Sequence, residues 1–392
     1  MVLCYRLTNH VTRSRVLKKL YAVIIVFLCI FSSSGCTPIS ENKTYDVNDY
    51  RTTMQFYDDF KILQLTDLHL GIESDLKKQL EIVSDVISKE APDLIILTGD
   101  NFMYATKEIV YNLVKMLNDE CEKLTSLRSG RLTKFAITYG NHDNQGDYPR
   151  YYANSVIKTF TTEDGREIID GKYGAFRDYE DDNIFGLTNY FIDLVDDRQK
   201  DTNIVDVKYR LHIIDSNTYH FTGIKYEYDY IHEDQLAHAN KIYQTATVDK
   251  DYIGMCFFHI PFVEFEDVKT QYEGAENPES IGQGKFGEDV LCPFENNGSY
   301  TQLKNANIIS FIVGHNHVNY GDFIYNAQSS NINDKALFSY GVKATNQLYH
   351  DEDMLGYKTI TLEDNITIEK FLSIENINKN FINNTAGMSY YE

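Results

Sequence analysis

The sequence predicts an α/β fold built on a β-α-β-α-β core. Three observations carry that expectation: apolar runs of strand length, amphipathic helical stretches between them, and a metal-type side chain just after each run. The first run is residues 60–66 (FKILQLT). Residues 75–89 follow, with Leu76, Leu80, Val83, Val86 and Ile87 on one helical face. The second run, residues 93–98 (DLIILT), is entered through Pro92. Residues 107–124 carry Ile109, Val110, Leu113, Met116, Leu117 and Leu124 as a helical stripe, and residues 134–139 (KFAITY) are the third run. Strands joined by helices in this way lie parallel, with right-handed crossovers.

Beyond this core the pattern loosens. Residues 145–206 are polar, Tyr-rich and weakly periodic, which reads as a variable insertion over the site. Regular signals return at 187–195 and 209–215. A helix is expected near 233–245 and strands at 252–258 and 307–313. Residues 264–306, with Gly274, Gly282, Gly284, Gly287 and Gly298 and no clear period, read as a long loop. From residue 320 short strands and turns alternate, consistent with a second sheet. Residues 376–392 read as a polar tail.

The N-terminus reads as a targeting segment. Lys18-Lys19 precede a 12-residue apolar run, Leu20 to Phe31, then Ser-Ser-Ser-Gly and Cys36. Twelve residues are short for a membrane-spanning helix, which needs roughly 20. The small residues before Cys36 resemble a bacterial lipobox, although Ser33 stands where that motif usually has Leu. Residues 1–35 are therefore expected to be a signal peptide, Cys36 a lipid anchor, and residues 36–55 a polar tether. An uncleaved signal anchor and plain secretion are the alternatives. Cys121, Cys256 and Cys292 are left in the body, an odd number without CxxC spacing, so buried thiols are expected rather than a disulfide framework.

The formal charge is −21, and without the +5 of residues 1–35 the remainder carries −26. Such a body repels nucleic acid and anionic lipid at long range, which disfavours a polymer-tracking nuclease. A small phosphate ester is still admissible, because bound metal ions reverse the sign locally.

The chemistry sits where strands end. The first run ends in Thr66-Asp67-Leu68-His69, the second in Gly99-Asp100, and the third in Gly140-Asn141-His142-Asp143. The strand at 252–258 ends in His259, and that at 307–313 ends in Gly314-His315-Asn316-His317. The carboxyl edge of an α/β sheet is where ligands bind. Asp oxygens and neutral His nitrogens hold zinc, iron or manganese, and a carboxylate such as Asp100 can bridge two ions. Two ions about 3.5–4 Å apart clamp a phosphoryl group and ionise water near neutral pH. The glycines before Asp100, Asn141 and His315 permit tight turns. Any one fragment has a bland explanation: a lone Asp-x-His is noise, a Gly-Asp is a turn, and a single His on an apolar strand is a core residue. Five fragments in order, each directly after an apolar strand, do not. His212, His220, His232 and His238 join no motif and read as core or surface, while His350 is a marginal pocket residue.

These fragments resemble the calcineurin-like metallophosphoesterase superfamily, with its D-x-H, G-D, G-N-H-D, H and G-H-x-H signature, over roughly residues 58–372. TDLHLG, DLIILTGDN, YGNHD, FFHIPFVEF and VGHNHVN are similar to the single-domain branch related to purple acid phosphatases. The resemblance implies a four-layer α/β/β/α sandwich over residues 56–375, with a two-metal site at the top of both sheets. It implies Asp67, His69, Asp100 and His317 around one ion, and Asp100, Asn141, His259 and His315 around the other. It implies that His142 orients the phosphate and protonates the leaving oxygen, and that Asp143 steadies His142. True purple acid phosphatases place a Tyr ligand three residues after the second-motif Asp. Met103 stands there and Tyr104 comes one later, so no purple iron centre is expected.

The expected activity is metal-dependent hydrolysis of a phosphate mono- or diester, by a metal-bridging hydroxide, outside the cytoplasmic membrane. Two divalent ions (Mn, Fe or Zn), a small phosphate-ester substrate and a membrane tether are implied; no nucleic-acid polymer is. A non-catalytic surface lipoprotein and a 5′-nucleotidase-like enzyme are the rivals.

Overall fold

The computed structural model describes residues 46–71, 76–159, 173–175, 184–196, 206–245 and 251–373. Residues 1–35, expected to be a signal peptide, Cys36 and residues 376–392 lie outside them.

The apolar runs become β2 (Phe60–Leu65), β3 (Leu94–Thr98) and β4 (Lys134–Thr138). The helical stripes become α1 (Leu76–Glu90) and α2 (Lys107–Leu127). β2, β3 and β4 pair parallel in sequence order. Every residue of β3 is buried, as in a strand covered on both faces. α2 starts where the Thr106 side chain accepts the Ile109 N–H, and it buries Ile109, Val110, Leu113, Val114, Leu117 and Leu124. β14 (Lys358–Leu362) runs antiparallel to β2 and completes a four-stranded sheet, β14-β2-β3-β4.

The second sheet has eight strands. They are β1 (Arg51–Gln55), β5 (Asn189–Asp196), β6 (Asp206–Ile214), β9 (Ile253–Phe257), β10 (Gly282–Phe286), β11 (Ile308–Val313), β12 (Asn319–Tyr325) and β13 (Ala336–Tyr340). Their order is β1-β5-β6-β9-β11-β13-β12-β10. The sheets face each other. Tyr190 on β5 takes the Ile137 N–H and donates to the Ile137 carbonyl. Gln64 on β2 donates to Val313 O at 3.1 Å, and Thr138 on β4 to Ile214 O at 3.1 Å. Deeper down, buried Lys358 on β14 meets Asp322 and Ser339 of the large sheet.

Helices cover both outer faces. α1, α2 and α3 (Arg150–Thr159) form the layer beside the small sheet. α4 (Glu233–Thr245), α5 (Glu264–Gly274) and α6 (Ser299–Asn305) form the layer on the large one. Beneath that layer Phe262 meets Phe258, Phe265, Phe311 and Phe338 at ring-centroid distances of 5.2–5.4 Å. The resulting architecture is the four-layer α/β/β/α sandwich. A short α7 (Ile368–Phe371) ends the described chain, and β7 (Tyr219–Phe221) with β8 (Tyr226–Tyr228) forms a separate two-stranded ribbon.

Three expectations are corrected. Residues 264–306 are not a long loop: they hold α5, β10 and α6. α5 buries Phe265 and Val268 and half-buries Tyr272, a stripe obscured by the four acids of the helix, Glu264, Glu266, Asp267 and Glu273. The glycines of β10 serve close strand approach, because a Cβ on Gly284 would come within 2.6 Å of Gly321 Cα in β12. The supposed tether is in part structure, since Arg51–Gln55 is an edge strand pairing parallel with β5 through buried Thr52 and Met54. The tail from 320 serves both sheets, with β12 and β13 in the large sheet and β14 in the small.

Candidate metal centre

The ligand-type residues follow β2, β3 and β4 of one sheet and β9 and β11 of the other, so the carboxyl edges of two facing sheets converge. The chain must turn away from each strand abruptly. Asp67, His69, Asp100 and His315 do so with left-handed backbones, at φ of 56°, 47°, 49° and 74°. Such conformations cost about 1–3 kcal/mol each for residues with a side chain. Cross-links hold them: Asp67 N donates to Gly99 O, His69 N to Asp100 O, and His315 N to Asp67 Oδ2 at 3.1 Å. Gly140 is needed for contact, as a Cβ there would lie 2.6 Å from Asp100 N and overlap the Asp100 carboxylate.

Asp67, His69, Asp100 and His317 form one cluster of potential donor atoms, all buried, and Asp100, His259 and His315 form a second. Asp100 is common to both. Its Oδ2 lies 3.3 Å from His69 Nε2 and 3.2 Å from His259 Nε2. These atoms are close without hydrogen-bond geometry. Asp67 Oδ1, His69 Nε2, Asp100 Oδ2, Asn141 Oδ1, His259 Nε2 and His315 Nε2 are all buried with no hydrogen-bond partner. Unsatisfied buried polar atoms are costly, and six gathered at one place fit a cation as their common partner.

The histidine tautomers suit that role. His259 Nδ1 lies 2.8 Å from Thr98 O, His317 Nδ1 2.8 Å from Tyr349 O, and His69 Nδ1 3.0 Å from Asp67 O. A carbonyl only accepts, so Nδ1 of His259 and His317, which faces a carbonyl alone, carries the hydrogen and their Nε2 offers a lone pair to the centre.

The carboxylates and imidazoles set one another's charge, and His259 is held toward the protonated form, with a proton that a bound cation would displace. Burial opposes ionisation of Asp67, yet the adjacent imidazoles of His317 and His259 hold it well below the usual carboxylate range. Burial likewise opposes Asp100, and His259 and His69 hold it low. Burial and the Lys343 charge bring His69 down to about 4; burial and His259 bring His315 down to about 3. Burial also works against charge on His259, but Asp100 outweighs it and the group rises to about 9. Two carboxylates, one amide and four imidazoles, with no thiolate, form a donor set for two divalent ions of the manganese, iron or zinc type.

His142 stands at the edge, half-buried, its ring edge-on to His69 at 5.1 Å. Asp143 does something other than expected. Its carboxylate accepts Phe102 N at 2.8 Å, Gly140 N at 2.7 Å and Asn101 Nδ2 at 3.2 Å, and it has no bond to the His142 ring. It pins the loops after β3 and β4 together. Burial and the Asp100 charge push it up, to about 8, against those N–H donors. Both oxygens are occupied as acceptors, which suits the ionised form.

Tyr104 is 58% exposed, unlike the buried donor set. His350 bonds Leu348 O and stands apart from both clusters. His212 and His238 are buried, and His232 pairs with Asp229, as core and surface residues do. Cys121 and Cys256 are free and buried; Cys292 is half-buried.

Several contacts escaped sequence reasoning. Buried Lys343 brings Nζ to 3.1 Å from His69 Nδ1 and 3.3 Å from Asp67 O. Tyr349 stacks on His317 at 4.3 Å, Tyr228 meets His315 edge-on at 4.6 Å, and Tyr219 OH accepts from Asn141 Nδ2 at 2.9 Å. Lys343 follows the buried strand β13, but lysine is not a metal-type residue, and the three tyrosines follow no apolar strand directly, so no signal marks them.

With this geometry in place, comparison with known proteins is informative. The family model described as calcineurin-like phosphoesterase matches residues 60–319. "Phosphatase DCR2" of Saccharomyces cerevisiae is 26% identical over 276 residues, 66% of this chain and 44% of that protein. The chain thus spans less than half the length of the yeast relative. "Probable inactive purple acid phosphatase 28" of Arabidopsis thaliana is 25% identical over 346 residues, covering 76% of this chain and 77% of the relative. Among solved structures, a dimetal phosphatase from Danio rerio aligns with a TM-score of 0.44 at 11% identity, over 79% of this chain and 94% of that one.

Proposed function

This chain belongs to the calcineurin-like phosphoesterase family, and on that premise we propose that it hydrolyses small phosphate mono- or diesters at a two-metal centre with His142 as proton donor. It is a metal-dependent phosphoester hydrolase; the division of roles is our own reading. Asp67, His69, Asp100 and His317 would hold one ion, and Asp100, Asn141, His259 and His315 the other. The observation that carries this is the convergence of unpartnered buried donor atoms on the shared Asp100 Oδ2. Two divalent ions supply positive charge for the phosphoryl oxygens and make water ionise near neutral pH.

The chain's own residues do the rest. Nδ1 bonds to carbonyls keep His259 and His317 oriented, and Lys343 faces Nδ1 of His69. Asp143 fixes the turn that carries Asn141 and His142. His142, at the edge of the cluster, hands a proton to the leaving oxygen. The test is turnover of p-nitrophenyl phosphate and its bis ester by purified full-length protein with Mn²⁺, Fe²⁺ or Zn²⁺. Turnover with at least one metal is expected. A folded protein inactive with all three would overturn the proposal.

The same proposal places the enzyme outside the cytoplasmic membrane, tethered through Cys36. Its support is the order of basic residues, apolar run, small residues and Cys36. Among the described residues no helix is long and apolar enough to cross a membrane. Labelled palmitate should enter the wild type and not Cys36→Ser; equal labelling, or none, removes the lipid tether.

A further inference from the structure

The β7–β8 ribbon stands beside the metal centre with an unusual face. Residues alternate across a strand. Tyr219 pairs with Tyr228 and Phe221 with Tyr226, while His220 pairs with Glu227 between them. The two aromatic pairs therefore share one face, with ring centroids 5.3 Å and 5.2 Å apart within each pair. The inner pair touches the centre, Tyr219 through Asn141 and Tyr228 through His315. The outer pair is open to solvent: Phe221 is 58% exposed and Tyr226 74%.

A cleft of about 600 Å³ runs along this ribbon; Tyr219, Tyr226, Tyr228 and Phe294 give it ring surface, and Glu227 and Glu266 give it carboxylates. Phe294 is 82% exposed, with Lys225 Nζ 5.9 Å from its ring centroid. That volume suits a small organic group. Lys225 is paired with Glu227 at 2.7 Å, so it brings the cleft no free positive charge for a second phosphate or a polyanionic chain. Glu227 and Glu266 oppose a second anion as well, so what the cleft offers a ligand is flat ring surface, which is costly to leave hydrated and well matched to another ring.

We infer that this cleft is the subsite for the alcohol portion of the substrate, and that it takes a planar ring, aryl or nucleobase, while the phosphate sits at the metal centre. Tyr219 and Tyr228 join the two places, because each lines the cleft and touches a ligand-type residue. The inference rests on the phosphoesterase proposal and adds the class of ester. Tyr226 and Phe294 are the residues to test, since both line the cleft, touch none of the ligand-type side chains and are exposed enough to be replaced without loss of folding.

The experiment uses metal-loaded full-length protein with phenyl phosphate, uridine 5′-monophosphate and glycerol 3-phosphate. Wild type is expected to show a lower KM for at least one ring ester than for glycerol 3-phosphate. Phe294→Ala and Tyr226→Ala should raise that KM roughly tenfold, the scale of one lost stacking contact. Their kcat, their kinetics on glycerol 3-phosphate and their inhibition by inorganic phosphate should not change. A gain confined to phenyl phosphate identifies an aryl ester, and one confined to the nucleotide a nucleobase. Equal KM values for all three esters, or equal losses on all three in both variants, would overturn the subsite and leave the phosphoesterase assignment standing. No turnover of any ester by wild type would overturn both.

Discussion

The Asp100 carboxylate accepts the backbone N–H of His142 through Oδ1 at 2.7 Å. Its other oxygen lies among the imidazoles of His69 and His259. One side chain thus ties both donor clusters to the turn that presents the proposed acid. Asp100→Asn should therefore damage both ion sites together. Replacing residues that merely orient a metal ligand costs about 10–100-fold in affinity or activity. Loss of this shared ligand is expected to exceed about 100-fold in kcat/KM. Elemental analysis should find less than one ion per chain. Retention of two ions would refute the shared role.

Removing the metals should also weaken the fold. Without them, Asp67 and Asp100 are two buried carboxylates in one cavity. Ligand at about 100 times its Kd stabilises the native state by about 2.7 kcal/mol. Thermal unfolding should accordingly shift down by several degrees after chelation and recover with Mn²⁺ or Zn²⁺. An unchanged Tm across chelation and re-addition would contradict the site.

His142→Ala separates binding from chemistry. The Asp100 contact comes from the backbone, so the variant keeps it. Metal content should stay at the wild-type value, while kcat falls by about 10²–10⁴-fold. The deficit should be larger for an alkyl ester than for p-nitrophenyl phosphate, whose leaving group needs little protonation. An equal loss on both esters would remove the acid role.

Much of this centre was legible because each ligand-type residue directly follows an apolar strand, and strand ends can be read from periodicity. Residues 60–66, 93–98, 134–139 and 307–313 were all found that way. Roles that depend on which atom faces which were not legible. Asp143 follows His142 in the chain, yet it bonds Phe102, Gly140 and Asn101, contacts set by the fold of two loops. Lys343 reaches His69 across a sequence distance of 274 residues, and the FSYG segment before it, similar to the same family, holds no metal-type side chain to draw attention to it. The glycines of β10 looked like loop punctuation because period and composition cannot tell a flexible turn from two backbones in close approach.

Lys358 and Asp322 join the two sheets as a fully buried ion pair, with Ser339 as a further partner. Lys358→Met strands a buried carboxylate, and breaking such a pair on one side costs about 3–5 kcal/mol. The double variant Lys358→Met/Asp322→Leu should recover most of that, since matched apolar replacements are often neutral. Urea unfolding of the three proteins checks this. A double variant no better than the single one would mean that the pair fixes the sheet packing beyond its charges.

His212 provides the acid-side prediction. It is fully buried on β6 with its ring 6.1 Å from Phe191, and its Nε2 has no hydrogen-bond partner. Burial, then the charges of Arg210 and His238, hold its pKa well below the ordinary value of 6.5. The native state therefore keeps this ring neutral where the unfolded chain protonates it. A depressed folded pKa gives stability that is present above the unfolded pKa and lost as pH falls toward the folded one. From about pH 6.5 downward the loss from this group approaches about 1.4 kcal/mol per pH unit. His212→Leu removes that term and leaves other acid-sensitive groups in place. The stability of wild type minus that of the variant, measured by urea unfolding from pH 7 to pH 5, should decline steadily with acidification. A difference that stays flat over that window would show that His212 is protonated in the native state as readily as in the unfolded chain.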